Sequence, residues 1–96
     1  MDMQELRAKI DRVDDEIVRL YGERMELARE IGRYKQAKGL PVQDEDREKA
    51  LLDRVAAKAG KENADGVRVL FSLLMARSRA VQEAEVREDS PGETLK

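Results

Sequence analysis

One long apolar pattern restricts the fold of this chain more than anything else in it. Leu6, Ile10, Val13, Ile17, Leu20, Leu27, Ile31 and Tyr34 step by threes and fours, the spacing that lines up one face of an α-helix. The pattern predicts a single helix from about Met3 to Lys38. About 35 residues make a rod of roughly 52 Å. A compact globule of 96 residues has a radius of gyration of about 12–13 Å, hence a diameter of roughly 32 Å. The rod overshoots its own body, so its outer part must bury its stripe on something else. A second copy of the chain, related by a two-fold axis, supplies a matching stripe. A homodimer is therefore expected.

The rest of the chain reads as two shorter helices. "KGLPVQD" ends the first: Gly39 suits the left-handed residue after a helix, Pro41 prevents continuation, and Asp44 is placed to cap the next. Helix two is expected from about Asp44 to Lys58, with Leu51, Leu52, Val55 and Ala59 on one face. "AGKENADG" is the second break, with Asp65 expected to cap helix three. That helix carries Val67, Leu70, Phe71, Leu74 and Val81 on one face and runs to about Arg87. No segment has strand period. The fold class is all-α, with residues 1–88 as one helical domain and residues 89–96, rich in charge with Ser, Pro and Gly, as a mobile tail.

Composition narrows the chemistry. There is no Cys and no His, so disulfides, thiolate nucleophiles, serine-type triads and the usual zinc sites have no residues to build them. Neither a metal nor a cofactor is expected. Charged residues are 42% of the chain, yet the net charge is only −2. The signs are interspersed, which disfavours a broad nucleic-acid-binding face. "MDMQELRAKIDRVDDEIV" has no apolar signal segment, and no run of apolar residues is long enough for a membrane span. A soluble cytoplasmic protein is expected, with no membrane partner.

Polar residues nevertheless interrupt the apolar faces. Arg24 takes the one slot in the first stripe where an apolar residue is due, and Arg7 and Lys35 lie on or beside the same stripe. Arg47 and Glu48 open the face that Leu51 and Leu52 continue, while Ser78 and Gln82 follow Leu74 on helix three. Each alone has an ordinary explanation. A bordering Arg or Lys snorkels, Glu48 favours a helix N-terminus, and Ser78 and Gln82 suit helix packing and a solvated edge. The set is harder to dismiss. Lys35 lies about three turns beyond Arg24, on nearly the same face and about 16 Å along the axis, so the two can line the ends of one small-molecule pocket. Arg7 is about 25 Å before Arg24 and cannot reach that pocket from its own chain. An antiparallel partner with its dyad near Ile17 or Val18 would bring it there. Such a pocket suits a small dicarboxylate, since arginine pairs carboxylates bidentately, with a hydroxyl for Glu48 or Asp44 to accept. It holds no nucleophile and no positioned base. That leaves binding, or a reaction driven by preorganised electrostatics.

At these residues the chain resembles a known family. "LRAKIDRVDDEIVRLYGERMELAREIGRYK", "LPVQDEDREKALLDR" and "LFSLLMARSRAVQE" are similar to the all-helical class of chorismate mutase, over about Leu6 to Glu83. The resemblance implies an intertwined homodimer of three-helix subunits. It would carry two active sites, each using an arginine of the neighbouring chain. It implies the Claisen rearrangement of chorismate to prephenate, on the route to phenylalanine and tyrosine. By position, Arg7 matches the arginine given across the dimer and Arg24 the in-chain arginine that grips a substrate carboxylate. Lys35 and Gln82 match the pair that hydrogen-bonds the ether oxygen. Glu48 and Asp44 match the groups around the substrate hydroxyl, and Arg47 and Ser78 further polar contacts. Gly22 inside helix one and the bulk of Tyr34 beside Lys35, expected to crowd the pocket edge, depart from a plain helical reading without touching this set. The alternatives are an isochorismate pyruvate lyase of the same fold, which "QDEDRE" disfavours, a non-catalytic domain that senses prephenate-like molecules, and a purely structural helical dimer.

Overall fold

The computed structural model describes residues 1–88 as three helices, and the expected tail at 89–96 lies outside the described residues. Helix α1 is Met3–Lys38, α2 is Glu45–Ala59 and α3 is Ala64–Glu88. A reciprocal capping box starts α1: the Glu5 N–H donates to Asp2 Oδ1 at 2.9 Å and the Asp2 N–H to Glu5 Oε1 at 3.3 Å. Gly39 ends it at φ 69°, a left-handed residue that glycine adopts without a Cβ penalty. The Leu40 N–H then donates back to the Lys35 carbonyl at 2.9 Å, and the Gly39 N–H to Gln36 at 3.3 Å. Asp44 caps α2, accepting from the Arg47 N–H at 3.1 Å. Asp65 does not cap α3, because the helix begins one residue earlier and leaves Asp65 in the first turn, 3.9 Å from Arg68.

The three helices pack around α3. Contacts between α1 and α3 ascend together, Arg24 to Ser78, then Gly32 to Gln82, then Arg33 to Glu85, so these helices run parallel. Helix α2 runs antiparallel to α3, with Glu48 against Arg79 near its start. Leu51, Val55 and Met75 form the buried cluster between α2 and α3, with Leu52, Val67 and Phe71 packed against it. Both α1 and α2 lean on α3, which leaves a cleft between them.

Only the second half of α1 takes part. The residues of α1 buried within the chain are Met25, Ala28 and Gly32, a face of small and flexible side chains turned away from the bulky stripe. Leu20, Leu27, Ile31 and Tyr34, expected to be buried, are exposed in the chain. Toward the N-terminus, Ile10, Val13 and Ile17 are 60%, 58% and 54% exposed, and every residue before Arg24 is exposed. The radius of gyration of 17.4 Å therefore exceeds the compact value of about 12–13 Å, and the longest extent, 61 Å, exceeds the compact diameter of roughly 32 Å. The helix projects from its own domain, as its length required.

Gly32 sets how closely α1 approaches α3. A Cβ there would stand 3.0 Å from Gln82 Cα and 3.2 Å from the Gln82 carbonyl oxygen, backbone atoms that cannot turn aside. Gly32→Ala is therefore expected to destabilise by about 1–3 kcal/mol. An open helical glycine would instead gain about 0.5–1 kcal/mol on the same change. The urea midpoint measures the sign, and a stabilised variant would show that the helices separate without cost. At Gly22 a Cβ would meet nothing within 4 Å, and nothing in the chain's own packing explains that glycine.

Candidate functional site

The cleft between α1 and α2, floored by α3, is an open-mouthed cavity of about 480 Å³, within the usual range for a small-molecule pocket. Seven of the eight residues singled out in the sequence line it: Arg24 and Lys35 from α1, Asp44, Arg47 and Glu48 from the start of α2, and Ser78 and Gln82 from α3. Leu27, Ala28, Ile31, Leu51 and Met75 supply its apolar walls. The exposed Leu27 and Ile31 thus line a cavity rather than fill a core. Tyr34 does not line the cavity, and its ring lies 5.8 Å from the Lys38 ammonium instead. Arg7, near the far end of α1, is exposed and lines no part of this cavity.

Most of the polar groups are already held. The Arg24 guanidinium donates to Ser78 Oγ and lies 6.0 Å from the centre of the Phe71 ring, which fixes it in one place on the wall. Its burial, and then the neighbouring charge of Arg47, push its pKa below the ordinary arginine value, yet a guanidinium stays protonated near neutrality. The Lys35 ammonium donates to the Val42 carbonyl in the loop before α2. Because the Lys35 carbonyl also receives the Leu40 N–H, this one residue ties down both ends of the turn that frames the cavity.

Gln82 differs. It is 7% exposed, and its Oε1 is buried with no hydrogen-bond partner, the sole such side-chain atom among the described residues. An unsatisfied buried amide costs free energy that a bound ligand recovers. Turning the terminal amide by half a rotation exchanges Oε1 for Nε2, so the same position can present a donor.

Arg79 is the cavity residue that sequence pattern missed. Its Nη1 is 2.7 Å from both Glu48 carboxylate oxygens. Counted with it, the cavity carries the cations Arg24, Lys35, Arg47 and Arg79 against the carboxylates Asp44 and Glu48. The surplus of two positive charges suits a dianion. The one signal was the place of Arg79 next to Ser78 and one turn beyond Met75, and it becomes legible only when α2 is seen alongside. No cluster of metal-binding side chains occurs among the described residues, and no described helix is long and apolar enough to cross a membrane.

Residues 6–83 match a family model described as chorismate mutase type II. A chorismate mutase of Methanocaldococcus jannaschii is 33% identical over 89 residues, which are 90% of this chain and 89% of that protein. A bifunctional chorismate mutase/prephenate dehydratase of Escherichia coli K12 is 38% identical over 85 residues, 86% of this chain but 22% of that protein. The equivalent bifunctional protein of Aquifex aeolicus is 39% identical over 66 residues, 69% of this chain and 18% of the longer one. The chain therefore spans nearly the whole of the archaeal relative and about a fifth of the two bifunctional ones.

Proposed function

The chain belongs to the chorismate mutase type II family, and from that premise we propose that it rearranges chorismate to prephenate in this cavity, as a homodimer in which each site takes Arg7 from the neighbouring chain. The observation that carries the proposal is the convergence of Arg24, Lys35, Arg47, Ser78 and Gln82 from three helices on one cavity, whose one hydroxyl, Ser78, accepts from Arg24 and has no base placed to activate it as a nucleophile. A pericyclic rearrangement requires none. Its transition state separates charge and places negative character on the breaking ether oxygen. Fixed donors in the cavity stabilise that charge, where water would first have to reorganise.

In this reading Arg24 grips one substrate carboxylate while Arg47 and Ser78 add polar contacts. Glu48 and Asp44 accept from the substrate hydroxyl. Lys35 and Nε2 of Gln82 donate to the ether oxygen, the half rotation of the amide bringing Nε2 to the position where Oε1 has no partner. Holding the substrate folded, with its two reacting carbons close, adds a proximity term. The projecting half of α1, whose apolar residues are exposed in the chain, supports the dimer: an antiparallel partner would cover that stripe and carry Arg7 to the other chain's cavity. Loss of chorismate absorbance on adding the protein, with prephenate as product, is the direct test. Release of pyruvate would indicate the lyase instead, and tight binding of a bicyclic transition-state analogue without turnover would indicate a sensor.

The shared site has its own test. Arg7→Ala and Arg24→Ala proteins are each expected to be nearly inactive. Unfolded and refolded together, about half the dimers are mixed, and each mixed dimer has one site with both arginines intact, so about a quarter of wild-type activity per chain should return. If mixed dimers form and the mixture stays as inactive as its parents, Arg7 does not cross between chains.

A further inference from the structure

Arg79 has no part in the reading above, yet it makes the one ion pair that joins α2 to α3 among the described residues. Its Nη1 stands 2.7 Å from Oε1 and 2.7 Å from Oε2 of Glu48. The two side chains are 29% and 23% exposed, and both line the cavity. The other described ion pairs either link neighbours three or four apart on one helix or, in Arg33–Glu85, involve an arginine more than half exposed. Exposed pairs of that kind contribute little. The Arg79–Glu48 pair is the one placed where a ligand would meet it.

We propose that Arg79 is a positioning residue for the chorismate site: it fixes the Glu48 carboxylate as the acceptor for the substrate hydroxyl and cancels its charge toward the dianionic substrate. The inference rests on the function proposed above. One nitrogen placed equally between both carboxylate oxygens fixes where the group points, and each oxygen keeps lone-pair capacity for a further donor. A lone glutamate at the start of α2 would turn about its χ angles and face two incoming carboxylates as an uncompensated anion. With Arg79 in place, Glu48 offers acceptors in a fixed direction while the cavity keeps its positive surplus. The two effects separate kinetically. Charge compensation acts on binding of the dianion and so on KM, whereas the direction of the acceptor acts on the folded, reactive conformer of the substrate and so on kcat.

The test is a double-mutant cycle on the intact protein, with kcat and KM for chorismate and a thermal midpoint for every variant. Arg79→Met should lower kcat/KM by roughly ten- to a hundredfold, and so should Glu48→Gln. If Arg79 acts through Glu48, the double variant should fall within about threefold of Glu48→Gln alone, because a neutral amide needs no counter-charge. Arg79→Lys restores the charge but carries it on a flexible, freely rotating ammonium instead of a nitrogen set in a rigid plane, and should recover KM more fully than kcat. Independent, multiplying losses in the double variant would make Arg79 a direct substrate contact and overturn the assignment. A loss in Arg79→Met explained wholly by unfolded protein, with kcat and KM per folded site unchanged, would overturn it as well. Both results would be read in an enzyme that turns chorismate over, so they leave the proposed function standing. A wild type with no turnover would remove the function and this role together.

Discussion

Lys35→Ala is expected to lower kcat by roughly 10²–10³ or more, about 3–4 kcal/mol, with KM changed far less. The ammonium is held on the Val42 carbonyl, and that leaves two of its three N–H donors for the substrate. The Schellman-type bond from Leu40 to the Lys35 carbonyl fixes the backbone beneath it. A donor prepositioned in this way does not have to reorganise when the ether oxygen gains charge, so its worth lies in the transition state rather than in the ground state. Lys35→Met, which keeps the methylene length, controls for disturbance of the α1–α2 turn and should show the same kcat loss. A defect confined to KM in both variants would mean that Lys35 binds substrate without acting on the breaking bond.

The second large effect is conditional on pH. Glutamine has no proton to lose, so a donor that Gln82 presents to the ether oxygen does not depend on pH, and wild-type kcat/KM is expected to be nearly flat between about pH 5 and 8. Gln82→Glu keeps the shape and makes the donor depend on a proton. The acid form still donates, while the carboxylate only accepts and repels the developing negative charge. The variant should therefore work in acid and lose activity as pH rises through the new glutamate's pKa. Desolvation at this buried position raises that pKa, and Lys35 in the same cavity lowers it. Profiles of kcat/KM against pH, with circular dichroism at each pH, decide the matter. Parallel profiles would remove Gln82 from the reacting oxygen.

The end of α1 and the start of α2 were legible because each is written in residues suited to a local use, whereas Asp65 was misread as the cap of α3. Gly39 and Pro41 stop α1, and Asp44 caps α2. Arg24 was legible because it takes a helical slot where an apolar side chain was due, Lys35, Arg47, Glu48, Ser78 and Gln82 because they lie on or beside apolar faces, and Asp44 because it precedes α2 as its cap. What stayed hidden depends on pairs of helices. Periodicity weights bulky residues, so it marked Leu27 and Ile31 and passed over Met25, Ala28 and Gly32, whose small size or flexibility lets α1 lie directly on α3. Arg79 was hidden for the same reason. Beside Ser78 it reads as one more solvated cation, and its partner Glu48 lies on another helix.

In the proposed dimer the projecting half of α1 would tie catalysis to abundance. Ile10, Val13 and Ile17 touch no substrate in any version of the site, and in the chain itself they lie open to water. In the proposed dimer they hold the arm that carries Arg7. A polar substitution among them would leave every cavity residue in place and the intrinsic chemistry unaltered, while lowering the fraction of chains that possess a complete site at a given concentration. Selection on this stripe would thus act through gene dosage. A cell making many copies tolerates a weakened arm that a cell making few does not, although the two would have identical catalytic residues.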